Sequence, residues 1–224
     1  GTIDGFIVAI AEETQSLKDY KHFKDIMNSG TPIVMFDRVA DGINCDKVVV
    51  DDFDSAYDAT SHLIKLGSKK IALLSTIQNL SVGKLRLDGY KRALSDANMS
   101  IDENLIIQET SIEDFDVQLQ QLISSKKMDA IFALDEHSST MTMRMALKQG
   151  IKIPEELNII GFADGVWSRR LTPSLSTVSQ HAPEIGAKAA ELLIHKLNSK
   201  DEFYQPKTVV IKTELRQRES TRKL

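Results

Sequence analysis

The sequence predicts an α/β protein built on parallel sheets, and three observations carry that prediction. Four apolar runs each end in an aspartate: PIVMFD at 32–37, KVVVD at 47–51, AIFALD at 130–135 and NIIGFAD at 158–164. A segment with helical character follows each run. The runs stay apolar throughout, as strands buried on both faces do, and strand-then-helix repetition is the signature of a parallel sheet. In such sheets the carboxyl ends of the strands border the ligand crevice. The pattern therefore gathers carboxylates around one cleft, where they accept hydrogen bonds from hydroxyls or amines of a small polar ligand.

Taken in order, residues 6–10 form a short strand. Ser16 is placed to cap a helix carrying Leu17, Tyr20, Phe23, Ile26 and Met27 on one face, and Gly30 closes it. Pro32 opens the strand that ends at Asp37, and a loop with Gly42 leads to the strand at 48–50. A helix over 55–66 aligns Ala56, Ala59, Leu63 and Leu66 and stops at Gly67. A strand at 70–75 precedes a helix over 82–97 with Leu85, Gly89, Ala93 and Ala97 in one stripe. A strand at 105–108 leads to a helix over 113–124 that aligns Phe115, Leu119 and Leu122. After the strand at 130–134 comes a methionine-rich helix (Met141, Met143, Met145) closed by Gly150; flexible thioethers of this kind fill core or interface gaps. The strand at 158–162 is followed by an irregular stretch, 165–177. Pro183 opens a helix running to 198, a strand spans 208–213, and 216–224 reads as a polar tail.

Composition excludes several functions. The chain has 224 residues, is 42% hydrophobic, and carries a net charge of −4, so no surface is built to follow nucleic-acid phosphates. Its single cysteine, Cys45, allows no internal disulfide framework and fits a reducing compartment. No stretch is long and apolar enough to span a membrane. No nucleophile–base pair, phosphate-cradling glycine loop or metal-ligand spacing is present, so the chain reads as neither an enzyme nor a metal or cofactor protein. It opens on Gly1-Thr2-Ile3-Asp4-Gly5 without an initiator methionine, which reads as a piece of a longer protein.

The last third goes beyond general α/β grammar. Ile153-Pro154-Glu155-Glu156-Leu157-Asn158-Ile159-Ile160-Gly161-Phe162 is followed by Leu171-Thr172-Pro173-Ser174-Leu175-Ser176-Thr177-Val178, then Glu184-Ile185-Gly186, Ala189-Ala190-Glu191-Leu192-Leu193 and a closing Arg218-Glu219-Ser220-Thr221-Arg222. Upstream stand Val50-Asp51-Asp52-Phe53, His62-Leu63-Ile64, Leu66-Gly67 and Arg86-Leu87-Asp88-Gly89-Tyr90. In this order and spacing the segments resemble the LacI/GalR family of bacterial transcription regulators, over essentially the whole chain.

The resemblance implies a two-lobed, periplasmic-binding-protein-like fold. Residues 1–51 and 181–204 would form the N-terminal lobe, and 52–180 with 205–224 the C-terminal lobe. The family's helix-turn-helix domain has no counterpart in the sequence. The N-terminal lobe is expected to be incomplete, because its first two strand–helix units are not seen.

The resemblance also nominates ligand-binding residues. Arg86 matches the arginine that grips effector hydroxyls or a carboxylate, a task suited to a planar fork of donors. Asp37, Asp135 and Asp164 match strand-end positions. Ser81, just before the arginine, is a further donor, and Trp167 and Phe115 are stacking candidates. Leu134 and Ala163 stand at pocket positions where many members carry asparagine and aspartate. Each replacement leaves a sugar hydroxyl without its usual partner, at about 1–3 kcal/mol, so a less polar, larger or phosphorylated effector competes with a simple hexose. The implied role is the effector-binding and dimerising region of a cytoplasmic transcriptional regulator. Its partners would be a sugar, sugar phosphate or nucleobase-like effector, a second copy of the chain, and operator DNA only through the DNA-binding domain. A periplasmic sugar-binding protein of a transporter is the alternative with the same fold.

Overall fold

The computed structural model describes residues 3–162, 165–199 and 204–223. The chain divides into two compact units, Gly1–Asp51 with His181–Lys212, and Asp52–Gln180 with Thr213–Leu224.

In the first unit, the described residues form a four-stranded parallel sheet ordered β1 (Phe6–Val8), β2 (Ile33–Phe36), β3 (Asp46–Val50) and β9 (Thr208–Ile211). Alternate strand residues serve two cores, as the pleat requires. Val34, Val48, Val50 and Ile211 pack with Ile185, Ala189 and Leu192 of α8 (Ala182–Asn198). Ile33 and Met35 face Tyr20, Phe23, Ile26 and Met27 around α2 (Lys21–Asn28).

The single helix expected from Ser16 is in fact two. α1 (Glu12–Leu17) contains Ser16 in its interior and ends at Lys18, whose φ of 53° is left-handed. The Asp19 carboxylate then accepts from Lys21 N at 3.1 Å to start α2. The physical reason is that the apolar stripe begins only at Tyr20. Leu17 is exposed, so nothing anchors one continuous helix.

The second unit holds a six-stranded sheet in the order β10-β8-β7-β6-β4-β5. Its strands are β4 (Ile71–Ser75), β5 (Ile106–Gln108), β6 (Ala130–Ala133), β7 (Asn158–Gly161), β8 (Ser176–Ser179) and β10 (Glu214–Arg216), all parallel except the β10–β8 pair. One face, with Leu74, Ile131, Ala133 and Ile159, packs on α5 (Ile112–Ser125) and α6 (Glu136–Lys148) through Phe115, Leu119, Met143 and Ala146. The other face, with Ile71, Leu73, Phe132 and Ile160, packs on α3 (Asp52–Lys65) and α4 (Ser81–Asp96) through Ala59, Leu63, Tyr90 and Leu94. Burial pushes the Tyr90 phenol up, and its hydroxyl donates to the Ile71 carbonyl at 2.7 Å.

Three further expectations are corrected. The stretch 165–177 contains a short helix, α7 (Val166–Arg170). Residues 208–211 belong to the first unit, because β9 pairs with β3, so the third passage lies at 212/213 rather than 204/205. The residues read as a polar tail are stitched into the sheet. Arg216 pairs with Thr177, and the Ser220 hydroxyl accepts from Ser176 N (2.8 Å) and donates to the Ile159 carbonyl (2.6 Å). Arg218 Nη1 donates to the Leu175 carbonyl, and Arg222 N donates to Asn158 Oδ1. Glu219 accepts from both the backbone and the hydroxyl of Ser174.

Candidate functional site

The site builds at the carboxyl ends of β4, β6 and β7 in the second unit. Gly83, in the first turn of α4, has no room for a side chain, because a Cβ there would fall on the Ile77 carbonyl. That close approach seats the β4–α4 loop directly against the helix that carries Arg86. Arg86 is 3% exposed. Its Nε donates to Asp52 Oδ1 at 2.7 Å and its Nη1 to the Leu134 carbonyl at 2.7 Å. The guanidinium carbon lies 3.5 Å from the centre of the Phe162 ring, a stacked cation–π arrangement. No partner of Nη2 is found among the described residues. Three strand or helix ends thus fix one guanidinium plane: α3 through Asp52, β6 through Leu134 and β7 through Phe162.

Asp135 is engaged in holding the frame. Its Oδ1 accepts from Ser138 N at 2.8 Å, capping α6, and its Oδ2 accepts from Thr76 N at 2.9 Å, tying the β4 end to the β6 end. In the loop after β4, Gln78 Oε1 is buried with no hydrogen-bond partner among the described residues. Ser81 is the first residue of α4 and is partly buried. Trp167 is 63% exposed on α7.

Two nominated side chains are corrected. Phe115 is fully buried in the core beneath α5, where its ring meets His137 edge-on at 5.7 Å. Leu134 is also fully buried, among Leu63, Tyr90 and Phe132, and only its carbonyl reaches the site. Neither side chain offers surface to a ligand. Asp37 lies in the first unit at the end of β2, with a left-handed φ of 56° and its carboxylate 3.8 Å from Arg38 Nε. Ala163 and Asp164 lie outside the described residues.

Sequence reasoning missed Asp52 and Phe162. The strand-end rule points to Asp51, whose carboxylate instead meets Lys212 at 3.1 Å in the first unit. Asp52, one residue on, opens α3 and takes the arginine. Phe162 directly follows an apolar strand and reads as its continuation. Among the described residues no group of three His, Cys, Asp or Glu side chains is arranged to hold a metal, and no helix is long and apolar enough to cross a membrane.

Comparison with known proteins shows the family of the chain. The periplasmic binding protein-like domain family matches residues 60–221. The HTH-type transcriptional regulator DegA of Bacillus subtilis is 32% identical over 187 residues, 83% of this chain and 55% of that protein. The HTH-type transcriptional repressor PurR of Haemophilus influenzae is 30% identical over 208 residues, 91% of this chain and 60% of that protein. The crystal structure of a LacI family transcriptional regulator from Enterococcus faecium with bound ribose aligns at a TM-score of 0.84 and 25% identity, covering 98% of this chain and 80% of that one. The chain spans a little over half the length of the curated relatives it matches (55% and 60%). The chain belongs to the periplasmic binding protein-like domain family, as a counterpart of the effector-binding region of LacI-type regulators.

Proposed function

We propose that this chain senses a small polar effector for a LacI-type transcriptional regulator, with Arg86 as the principal ligand-reading side chain. The observation that carries the reading is the fixed guanidinium at the carboxyl ends of β4, β6 and β7, in a chain related to regulators rather than enzymes. Ser81, Trp167 and Asp164 complete the proposed contact set in the second unit, Asp135 holds the frame, and Asp37 is a separate ligand-contact candidate on the first unit. One relative is described with bound ribose, which makes pentoses the first compounds to test. The active form is a cytoplasmic homodimer, and operator DNA is contacted by a separate helix-turn-helix domain. The effector acts by preferring one state of the regulator, since equal affinity for both would shift nothing.

The test is a thermal-shift screen of ribose, other pentoses and hexoses, sugar phosphates, nucleosides and purine bases. A genuine effector raises the melting temperature, and Arg86→Gln abolishes the rise. A hit that Arg86→Gln leaves unchanged places the ligand elsewhere. Sedimentation at micromolar protein should give a dimer mass; a monomer at all concentrations favours the transporter-type binding protein.

A further inference from the structure

We propose that Asp52 is a specificity-determining residue: its buried carboxylate cancels the Arg86 guanidinium, so that the site takes an uncharged, hydroxyl-bearing ligand and refuses carboxylates and phosphates. The inference rests on the reading that this strand-end site holds the effector.

An arginine at the mouth of a parallel sheet is by itself an invitation to an anion, because its fork matches a carboxylate or phosphate. Here that invitation is already answered. Asp52 Oδ1 sits 2.7 Å from Arg86 Nε, and the two side chains are 3% and 4% exposed. At that separation, away from water, the two charges attract far more strongly than a solvated pair. An incoming anion would have to share the guanidinium with a carboxylate it also repels.

The printed contacts of Arg86 bring no second cation to it. One N–H of Nη1 is taken by the Leu134 carbonyl, and one face of the guanidinium is covered by the Phe162 ring. The β4–α4 loop, seated against Gly83, carries a neutral amide, Gln78, whose buried Oε1 has no donor among the described residues. The carboxylate of Asp135 is met by two backbone N–H groups and faces no cation there. Among the described residues, three of the five guanidinium N–H donors remain, on an arginine whose charge Asp52 neutralises. These groups suit hydroxyls, which both donate and accept.

The experiment uses the whole chain and two probes, inorganic phosphate and the matched pair ribose and ribose 5-phosphate, followed by calorimetric titration of wild type, Arg86→Gln, Asp52→Asn and the Asp52→Asn/Arg86→Gln double variant. Wild type is expected to show no phosphate or ribose 5-phosphate binding that depends on Arg86. Asp52→Asn keeps the shape but frees the cation. It should bind phosphate about tenfold or more tightly than wild type, and the double variant should lose that gain. Wild-type binding of either anion that Arg86→Gln removes would overturn the proposal. So would a folded Asp52→Asn protein, verified by circular dichroism, that gains no phosphate affinity. If Asp52→Asn does not fold, wild type against Arg86→Gln decides alone: anion binding lost with the arginine refutes the proposal, and none supports it. A protein that proves monomeric at all concentrations would sink the regulator reading and leave these titrations intact. Conversely, anion binding would sink the Asp52 assignment without touching the family.

Discussion

Arg86 has two jobs, and they predict different costs. As a buried ion-pair partner it compensates Asp52, and removing one member of such a pair leaves an uncompensated charge in the interior. Arg86→Ala is therefore expected to destabilise the second unit by about 3–5 kcal/mol, read by urea denaturation. Removing both charges in an Asp52→Ala/Arg86→Ala variant should cost less than the sum of the single changes, because neither charge is then left alone. Additive losses would mean that the pair is not coupled. At this scale the sequence was informative about the arginine and silent about its partner. The Arg86-Leu87-Asp88-Gly89-Tyr90 segment marks the guanidinium, but the partner lies 34 residues away. Two adjacent aspartates also compete for the role, and only the turn from strand into helix decides that Asp52 points inward. The stacking candidate Phe115 was already betrayed by its spacing: with Leu119 and Leu122 it forms one helical stripe, and such a stripe is core.

Among the elements, the α3–α4 contact is a tight constraint near the site. Gly89 faces α3 so closely that a Cβ would fall on the Phe53 carbonyl and lie 3.0 Å from the Ala56 Cβ. Gly89→Ala should push the helices apart at a cost of about 1–3 kcal/mol, seen as a lowered denaturation midpoint. It should also weaken any Arg86-dependent ligand, because α4 carries the guanidinium.

The stitched segment gives a pH prediction. Hydrogen bonds from the Ser174 backbone and hydroxyl hold the Glu219 carboxyl below the usual glutamate range. A carboxyl whose folded pKa is depressed contributes stability above its unfolded pKa and loses it as pH falls through the folded one. Acidification through the glutamate range should thus loosen residues 217–222, seen as faster amide exchange at Ser220. Glu219→Gln should flatten that dependence. Unchanged exchange in the acid arm would refute the role. This stitching was not legible because its residues are polar and aperiodic. Ser220 and Thr221 are buried by hydrogen bonding to strand termini, and no hydrophobic pattern records that.

For the molecule as a whole, the strand-then-helix alternation made the α/β architecture legible, since apolar runs such as Ala130–Ala133 and Asn158–Gly161 are buried on both faces as they read. Sheet membership was less accessible. Thr208–Ile211 alternates between exposed and buried positions, and its place beside β3 is fixed by pairing that no local signal encodes. With a net charge of −4 the chain should not bind operator DNA selectively by itself, a point that fluorescence anisotropy would check.

The order of the segments has a consequence for biosynthesis. The second unit begins at Asp52, yet its edge strand β10 and the residues that lock β7 to β8 come from Thr213 onward, after the polypeptide has passed through α8 and β9. A nascent chain leaving the ribosome therefore carries an unzipped β8 edge until the segment from Thr213 to Arg222 emerges, a stretch translated in about a second or two. Stalling the ribosome just before Thr213 should leave that unit open to protease, and extending the emerged chain past Arg222 should close it.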